Sequence, residues 1–151
     1  MSIEKQLQDN IIQFLNYLNL NTELITFEDD GELLTISVAL PAEDAGIYIG
    51  RYASTLDSIQ LLISLMVNKS NLSRHILFDV GGYRENRLKT LQEMVARISA
   101  KVLETGSAHA MPPLSSTERR QVHVLLSQDE TFTTYSEGEG GERRLFISKK
   151  N

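Results

Sequence analysis

The chain has 151 residues, of which 41% are hydrophobic and 23% charged, a composition typical of globular domains. Its apolar runs fall short of the roughly 18 residues that cross a bilayer, its N-terminal residues lack the pattern of a secretory signal, and the absence of cysteine excludes disulfides and thiolate metal sites. These features predict a cytoplasmic protein of one domain or two small ones.

The net charge of −5 is distributed unevenly along the chain. Residues 1–82 contain four basic and eleven acidic side chains, a net charge of −7, whereas residues 83–151 contain eleven basic and nine acidic ones, a net charge of +2. Such asymmetry between halves indicates separate roles for them.

The first half alternates between helical and extended patterns. Apolar residues at helical spacing predict a helix over residues 3–19, and residues 22–40 form a hairpin around an Asp-Asp-Gly turn. Pro41 ends the second strand, and residues 42–49 form a short helix that ends at Gly50. A longer helix then extends to about Asn68.

Capping and burial patterns refine that longer helix and the strand after it. We expect Ser54 to be the N-cap, with Asp57 completing a capping box, and the core face to consist of Leu56, Ile59, Ile63 and Met66. Residues 75–80 form a strand, which Gly81 and Gly82 end. The order predicts an α+β fold in which a three-stranded sheet carries helices on one side.

The second half predicts two helices and a hairpin. A long helix ends at Gly106, and its core stripe comprises Leu88, Leu91, Val95, Ile98 and Val102. Two prolines keep residues 108–114 extended, Ser116 caps a helix over residues 117–129, and residues 131–150 form a hairpin around three glycines.

The loop between the two helices of the first half has the chemistry of an anion site. A turn that leads into a helix N-terminus presents unpaired N–H groups and the positive end of the helix dipole. Gly50 lets a phosphate approach the backbone, Arg51 can form a charge-assisted contact, and Tyr52 can stack on a base. The alternative is an ordinary connection between two helices.

The order of elements around this loop resembles a type II KH domain, whose GXXG loop holds the backbone of about four nucleotides. Gly50 matches the first glycine and Arg51–Tyr52 the variable pair, whereas Ala53 replaces the last glycine. Alanine favours the helical conformation that follows. We therefore expect this degenerate loop, residues 50–53, to keep its shape but to give a phosphate less room.

Three further segments extend the resemblance over residues 6–148. DVGGYRENR at residues 79–87, ERRQVH at 118–123 and SEGEG at 136–140 resemble, in this order, the Jag/KhpB family of bacterial proteins. In that family a KH domain precedes an R-three-H domain, named for an arginine and a histidine separated by three residues. Arg119 and His123 match that pair. The resemblance implies a KH-like domain over residues 1–82 and an R-three-H-like domain over residues 83–151, without the family's frequent N-terminal Jag segment.

The chemistry of the arginine–histidine pair agrees with that resemblance. At positions i and i+4, Arg119 and His123 share a helix face; the guanidinium suits phosphate, and imidazole can stack on a base or donate to a phosphate. Arg120 is an accessory contact. In the alternative interpretation, His123 braces the hairpin, Arg119 pairs with a glutamate, and Arg120 is a solvated charge.

Several other side chains have a structural and a binding interpretation. We expect Arg84 and Arg87 to form structural pairs with Asp79 or Glu85. Two aromatic residues, Tyr83 and Tyr135, are either packing residues or base-stacking ones. The cations of the closing hairpin either extend a basic face or only aid solubility: Arg143, Arg144, Lys149 and Lys150.

The sequence contains no HExxH, GxSxG or Walker motif, and its three histidines lie far apart, so we predict no catalysis, metal or cofactor. The family resemblance implies a protein that binds single-stranded RNA and acts in post-transcriptional regulation linked to cell elongation and division. It also implies a small KH-only partner protein, in a homo- or heterodimer, and no membrane association. The alternative function, which the acidic first half and Ala53 favour, is a protein-interaction or scaffold module.

Overall fold

Helices and strands alternate through residues 4–151, the part of the chain that this computed structural model describes. The chain divides between Arg84 and Glu85 into two units, each with its own three-stranded sheet. The predicted α+β fold is thus confirmed. The predicted start of the first helix, at Ile3, lies outside the described residues.

The first unit contains three helices and three strands. Its elements are α1 (Lys5–Tyr17), β1 (Ile25–Asp29), β2 (Leu33–Val38), α2 (Ala42–Ile49), α3 (Ser54–Lys69) and β3 (His75–Val80). Strand β2 is central, antiparallel to β1 and parallel to β3, and its Ile36 lies opposite Phe27 on one side and Phe78 on the other. The parallel β2–β3 pair is connected through α2 and α3, as such pairs require a crossover.

One face of this sheet packs against the helices. Alternate residues of β2 are buried, as the period-two pattern predicts, and they form one core cluster with residues of α1, α3 and β3. Helix α3 contributes Leu56, Ile59, Ile63 and Val67. The prediction that Met66 completes this face was wrong: Met66 is only half-buried, because the step from Ile63 to the next turn on the same face reaches Val67.

The predicted N-cap of α3 was also wrong. An N-cap residue has non-helical backbone angles, but Ser54 (φ −62°, ψ −38°) is already helical, and Ala53 occupies the cap position without a capping side chain. Asp57, predicted to complete the box, instead has its carboxylate 3.3 Å from Arg84 Nη2.

The second unit places two helices beside an antiparallel sheet. Its elements are α4 (Tyr83–Thr105, which begins at the end of the first unit), β4 (His109–Ala110), α5 (Ser116–Leu126), β5 (Phe132–Glu137) and β6 (Arg144–Lys149). The strand order is β4-β6-β5. The sequence predicted an extended segment before α5, and two residues of it pair with Phe146 and Ile147 of β6.

The core of this unit lies between the stripe of α4, helix α5 and one face of the sheet. Leu91, Val95, Ile98 and Val102 of α4 are buried as predicted. Leu88 is not: it is 40% exposed and lines a surface groove with Val124 and Leu125 of α5. The stripe therefore begins one turn later than its spacing suggested.

The cap of α5 lies one residue before the predicted Ser116. Ser115 Oγ accepts a hydrogen bond from the backbone N–H of Glu118 (3.1 Å), and the Glu118 carboxylate accepts one from the backbone N–H of Ser115 (3.0 Å). This reciprocal pair is a capping box; it forms at Ser115 because the glutamate lies three residues beyond that serine and only two beyond Ser116.

No helix within residues 4–151 is long and apolar enough to cross a membrane.

Candidate nucleic-acid interface

The loop before α3 begins at a position that only glycine can occupy. Gly50 has φ +73° and ψ −179°, a backbone conformation that is essentially restricted to glycine. A Cβ atom there would lie 2.3 Å from Thr55 Oγ1 and 2.9 Å from the Thr55 backbone nitrogen. The missing side chain lets the chain reverse direction tightly against the first turn of α3.

The other end of the loop is strained. Tyr52 (φ 53°, ψ 35°) and Ala53 (φ 60°, ψ 21°) both have left-handed backbone conformations, which cost non-glycine residues about 1–2 kcal/mol each. The prediction that Ala53 favours the helical conformation was therefore wrong. Ala53 is the left-handed residue before the helix, in a conformation that glycine adopts freely.

The side chains of the loop present a cation and an aromatic ring to the solvent. Arg51 and Tyr52 are both exposed, and the Arg51 guanidinium carbon lies 5.4 Å from the centre of the Tyr52 ring, within cation–π range. Because α3 has no capping side chain, its first N–H groups remain open to an anion. The loop thus combines three kinds of group that bind a nucleotide.

Helix α5 and strand β5 position the predicted arginine–histidine pair. Arg119 is half-buried and its Nη1 donates to the backbone carbonyl of Leu114 (2.8 Å). His123 is exposed, and its Nδ1 lies 2.6 Å from Thr134 Oγ1 of β5. The contact with Thr134 fixes the ring and uses one of its two nitrogens. Sequence reasoning missed Thr134, which lies eleven residues beyond the histidine and belongs to no motif.

The acidic residue next to Arg119 pairs elsewhere. Glu118 Oε1 lies 2.5 Å from Arg87 Nε. Burial of the Glu118 carboxylate opposes its ionisation, but the hydrogen bonds from Arg87 and from the Ser115 backbone outweigh burial and lower its pKa below the usual 4.5. No described carboxylate forms an ion pair with Arg119, Arg120 or His123. The alternative in which Arg119 pairs with a glutamate is thus wrong, whereas His123 does contact the hairpin.

The other predicted pairs are rearranged. Arg87 pairs with Glu118, and Glu85 pairs with Lys89 (3.0 Å). Asp79 accepts a hydrogen bond from the backbone N–H of Arg84, and the Arg84 guanidinium donates to Phe78 O and Gln60 Oε1, both at 3.0 Å. Arg84 therefore braces β3 and α3 within the first unit.

The remaining cations and aromatic residues have mixed surroundings. Arg120 is exposed beside the groove that Leu88 and Val124 line. The turn-proximal arginines of the hairpin donate to backbone carbonyls of their own turn, Arg143 to Gly138 and Arg144 to Gly141. Tyr83 packs against the core of the first unit, and Tyr135 is exposed on the second sheet.

The predicted site residues fall into two separate groups. Gly50, Arg51, Tyr52 and Ala53 belong to the first unit, and Arg119, Arg120 and His123 to the second. Within residues 4–151 no three His, Asp or Glu side chains are grouped as metal ligands would be.

Comparison with known proteins identifies the second unit. Residues 89–149 match the R-three-H domain family, and this stretch contains Arg119, Arg120 and His123, together with Glu118 and Thr134, which contact or orient them.

Relatives extend the match to nearly the whole chain. The chain is 35% identical to the RNA-binding protein KhpB of Clostridium symbiosum over 152 residues, which cover 97% of this chain and 68% of the relative. It is 30% identical to KhpB of Bacillus subtilis over 149 residues, covering 94% and 72%. KhpB of Streptococcus pneumoniae is 28% identical over 123 residues, or 81% of this chain but 38% of that protein. At these levels of identity and coverage, the chain belongs to the KhpB family.

Proposed function

We propose that this protein binds single-stranded RNA through two sites, the Gly50–Ala53 loop of the first unit and the Arg119–His123 face of α5 in the second. The two units then correspond to a KH-like domain, residues 1–82, and an R-three-H-like domain, residues 83–151. Relatives in the family carry the name RNA-binding protein, and the chemistry of both sites suits a polynucleotide.

The observation that carries the proposal is the arrangement around Arg119. Arg87 neutralises Glu118 at 2.5 Å, so the guanidinium of Arg119 keeps its charge for another anion. One of its nitrogens is held by Leu114, and the fork retains further N–H donors for a phosphate. His123, one turn along α5 and fixed by Thr134, adds a nitrogen for a second phosphate or a face for a base. Arg120, also exposed, adds attraction without a fixed geometry.

The loop at Gly50 is the second contact. Open N–H groups of α3 can hold a backbone phosphate, and the Arg51–Tyr52 pair offers charge and a stacking surface together. The net charge of −7 over residues 1–82 opposes this contact, so the second unit supplies most of the affinity.

Both contacts favour single strands with little base preference. Phosphate contacts carry no sequence information, and stacking accepts any base; a duplex would hide its bases from Tyr52 and His123. We further propose a cytoplasmic role in post-transcriptional regulation, with the link to cell elongation and division as a prediction from the family resemblance.

The test is fluorescence anisotropy with a labelled, mixed-sequence single-stranded RNA at several salt concentrations. We expect affinity to fall steeply as salt rises, because each phosphate contact releases counterions. Arg119→Ala should weaken binding and reduce the slope of log K against log salt by about 0.7. Arg97→Ala is the matched control, since Arg97 is an exposed arginine of the same unit on a different helix.

Three outcomes are informative. Loss of binding in Arg119→Ala but not in Arg97→Ala supports the site on α5. Equal losses in both variants would mean that only net charge matters, and the site would be wrong. No binding to the unaltered protein even at low salt would overturn the function.

A second candidate function, protein interaction, is favoured by one surface of the first unit. Leu61, Leu62 and Leu65 of α3 are 60%, 47% and 57% exposed and lie on adjoining turns of one helix side. A second KH-like module, whether another copy of this chain or the small KH-only partner implied by the family resemblance, is the occupant that we test.

Sedimentation equilibrium of the protein and of a Leu61→Lys/Leu65→Lys variant separates the functions. A self-associating protein that the variant makes monomeric, with RNA affinity unchanged, would establish an interaction surface independent of RNA binding. Burial of apolar surface should persist at high salt, unlike the RNA contacts. A protein that is monomeric at every concentration excludes the homodimer and leaves titration with a KH-only protein as the test of the heterodimer.

A further inference from the structure

The sheet of the second unit has one face turned away from its core. Along β6, Leu145 and Ile147 are buried and the residues between them are not, because successive side chains of a strand alternate between faces. We define the outer face by the residues on the opposite side: Tyr135 of β5, Phe146 of β6 and Ala110 of β4. Tyr135 and Ala110 both lie opposite Phe146 in the register.

Two of these residues form a flat aromatic pair. The rings of Tyr135 and Phe146 are nearly parallel, with 4° between their planes and 5.3 Å between their centres, an offset-stacked geometry. Each ring therefore turns one face to the other ring and its second face away from it. Tyr135 is 41% exposed and Phe146 half-buried, so the pair is accessible from solvent.

The third residue of the row leaves room beside the pair. Ala110 lies across from Phe146 on the side opposite Tyr135, is exposed, and contributes only a methyl group. Neighbouring strands are about 4.8 Å apart. A flat ring above Ala110 would thus continue the stack that Tyr135 and Phe146 begin.

Charged groups lie along the same strand. Arg144 precedes Phe146 by two residues and therefore points to the same side, about 7 Å away; Lys150 follows the end of β6. Arg144 donates to Gly141 O at 2.8 Å and Lys150 Nζ to Asp129 O at 2.5 Å, bonds to neutral carbonyls that leave both charges uncompensated by them. Glu137, which is opposite Arg144 in the register, is the acid on this face, and no ion pair joins these two described residues within 4 Å.

We propose that the outer face is a stacking platform for unpaired bases of the RNA, with one base against the Tyr135–Phe146 pair and adjoining phosphates near Arg144 and Lys150. The inference rests on the proposed function and deepens it, because it assigns base contacts to a second unit whose α5 site contacts phosphates. Stacking is tolerant of sequence, so the platform recognises nucleobases as a class.

Tryptophan fluorescence gives a direct test, because the chain has no tryptophan. Tyr135→Trp keeps a stacking ring and introduces a single fluorophore on the outer face. Addition of single-stranded RNA should quench its emission, with a midpoint equal to that of RNA binding measured by anisotropy. An abasic oligonucleotide, which has phosphates but no bases, should not quench it.

A matched pair of variants measures the contribution of the ring. Tyr135→Phe should bind RNA as the unaltered protein does, whereas Tyr135→Leu, apolar but not aromatic, should bind at least about fivefold more weakly. Affinity for the abasic strand should be equal in all three proteins. Thermal denaturation of each variant identifies any loss of the fold.

The outcomes separate this inference from the proposed function. RNA binding with no quenching in Tyr135→Trp and with equal affinities for the Leu and Phe variants would overturn the platform while the RNA-binding function stands. No RNA binding by the unaltered protein would overturn both. Equal quenching by the abasic strand would likewise contradict base stacking.

Discussion

Arg87 Nε and Glu118 Oε1 lie 2.5 Å apart and connect α4 to the first turn of α5, one residue before Arg119. The other oxygen of the same carboxylate completes the capping box at Ser115. Glu118 therefore links helix packing, the start of α5 and the charge of the proposed RNA site.

Loss of this pair should destabilise the second unit. We expect Arg87→Ala to lower the free energy of unfolding by about 1–3 kcal/mol, because it leaves a largely buried carboxylate without its charged donor. Lys89→Ala, which removes an exposed pair with Glu85, should cost only about 0.5 kcal/mol. Urea denaturation of both variants is the measurement, and equal costs would show that the Arg87 pair has no special role.

The lowered pKa of Glu118 predicts an acid-sensitive contribution to stability. Because the pKa is lower in the folded chain than the ordinary 4.5, the contribution is fully present above that value and is lost as the pH falls through the folded pKa. Glu118→Gln should flatten this part of the curve of unfolding free energy against pH. A variant curve parallel to that of the unaltered protein between pH 3 and 6, about the range in which carboxylates titrate, would refute the assignment.

Two glycines near the loop should respond in opposite directions to alanine. Gly50→Ala places a Cβ 2.3 Å from Thr55 Oγ1 in a conformation restricted to glycine, and should cost at least about 1–3 kcal/mol. At Gly46 a Cβ would have no atom within 4 Å, so Gly46→Ala should stabilise α2 by about 0.5–1 kcal/mol. Melting temperatures of the two variants should therefore shift with opposite signs, and a shift of the same sign would contradict this structure of the loop.

Ala53→Gly should both stabilise the protein and strengthen its loop. Relief of the left-handed strain at φ 60° outweighs the added freedom of glycine in the unfolded chain, for a net gain of about 0.5–1 kcal/mol. If the loop contacts RNA, affinity should also rise, because a phosphate gains room beside the backbone. Anisotropy with Arg51→Ala in the same background, and Lys69→Ala as the charge control, tests whether the gain comes from the loop.

A polar atom in the second core gives a further prediction. Ser99 of α4 is buried, and its Oγ has no hydrogen-bond partner among the described residues. Ser99→Ala removes this uncompensated hydroxyl and improves helix propensity, so it should stabilise the protein by about 0.5–1.5 kcal/mol. A destabilised variant would indicate that the hydroxyl has a partner, such as a buried water molecule.

Local patterns in the sequence predicted the elements and both sheets' hairpins well. Alternation in β2, the glycine after α4 and the motif residues of α5 act over a few neighbours and need no knowledge of the fold. The errors occur where a residue's surroundings come from distant segments. Leu88 has the spacing of a core residue but lies beside α5, and Arg87 finds its partner 31 residues away. The bond between His123 and Thr134 is of the same kind, since only the packing of α5 on β5 creates it.

Backbone conformation was the second source of error. Ala53 and Ser54 have ordinary helix-start chemistry, yet the chain enters α3 through two left-handed residues. A single sequence does not reveal such strain, because alanine carries no local signal for it. Glycine at this position would have been a signal of that kind.

The strained pair Tyr52–Ala53 also limits the mutational tolerance of the first unit. Marginal stability means that each domain can lose only a few kcal/mol before it unfolds, and the two left-handed residues already use part of that reserve. Core substitutions that an Ala53→Gly chain survives, such as Ile63→Val at about 1 kcal/mol, should therefore bring the unaltered chain closer to unfolding. Any search for further variants of this unit would start best from the Ala53→Gly background.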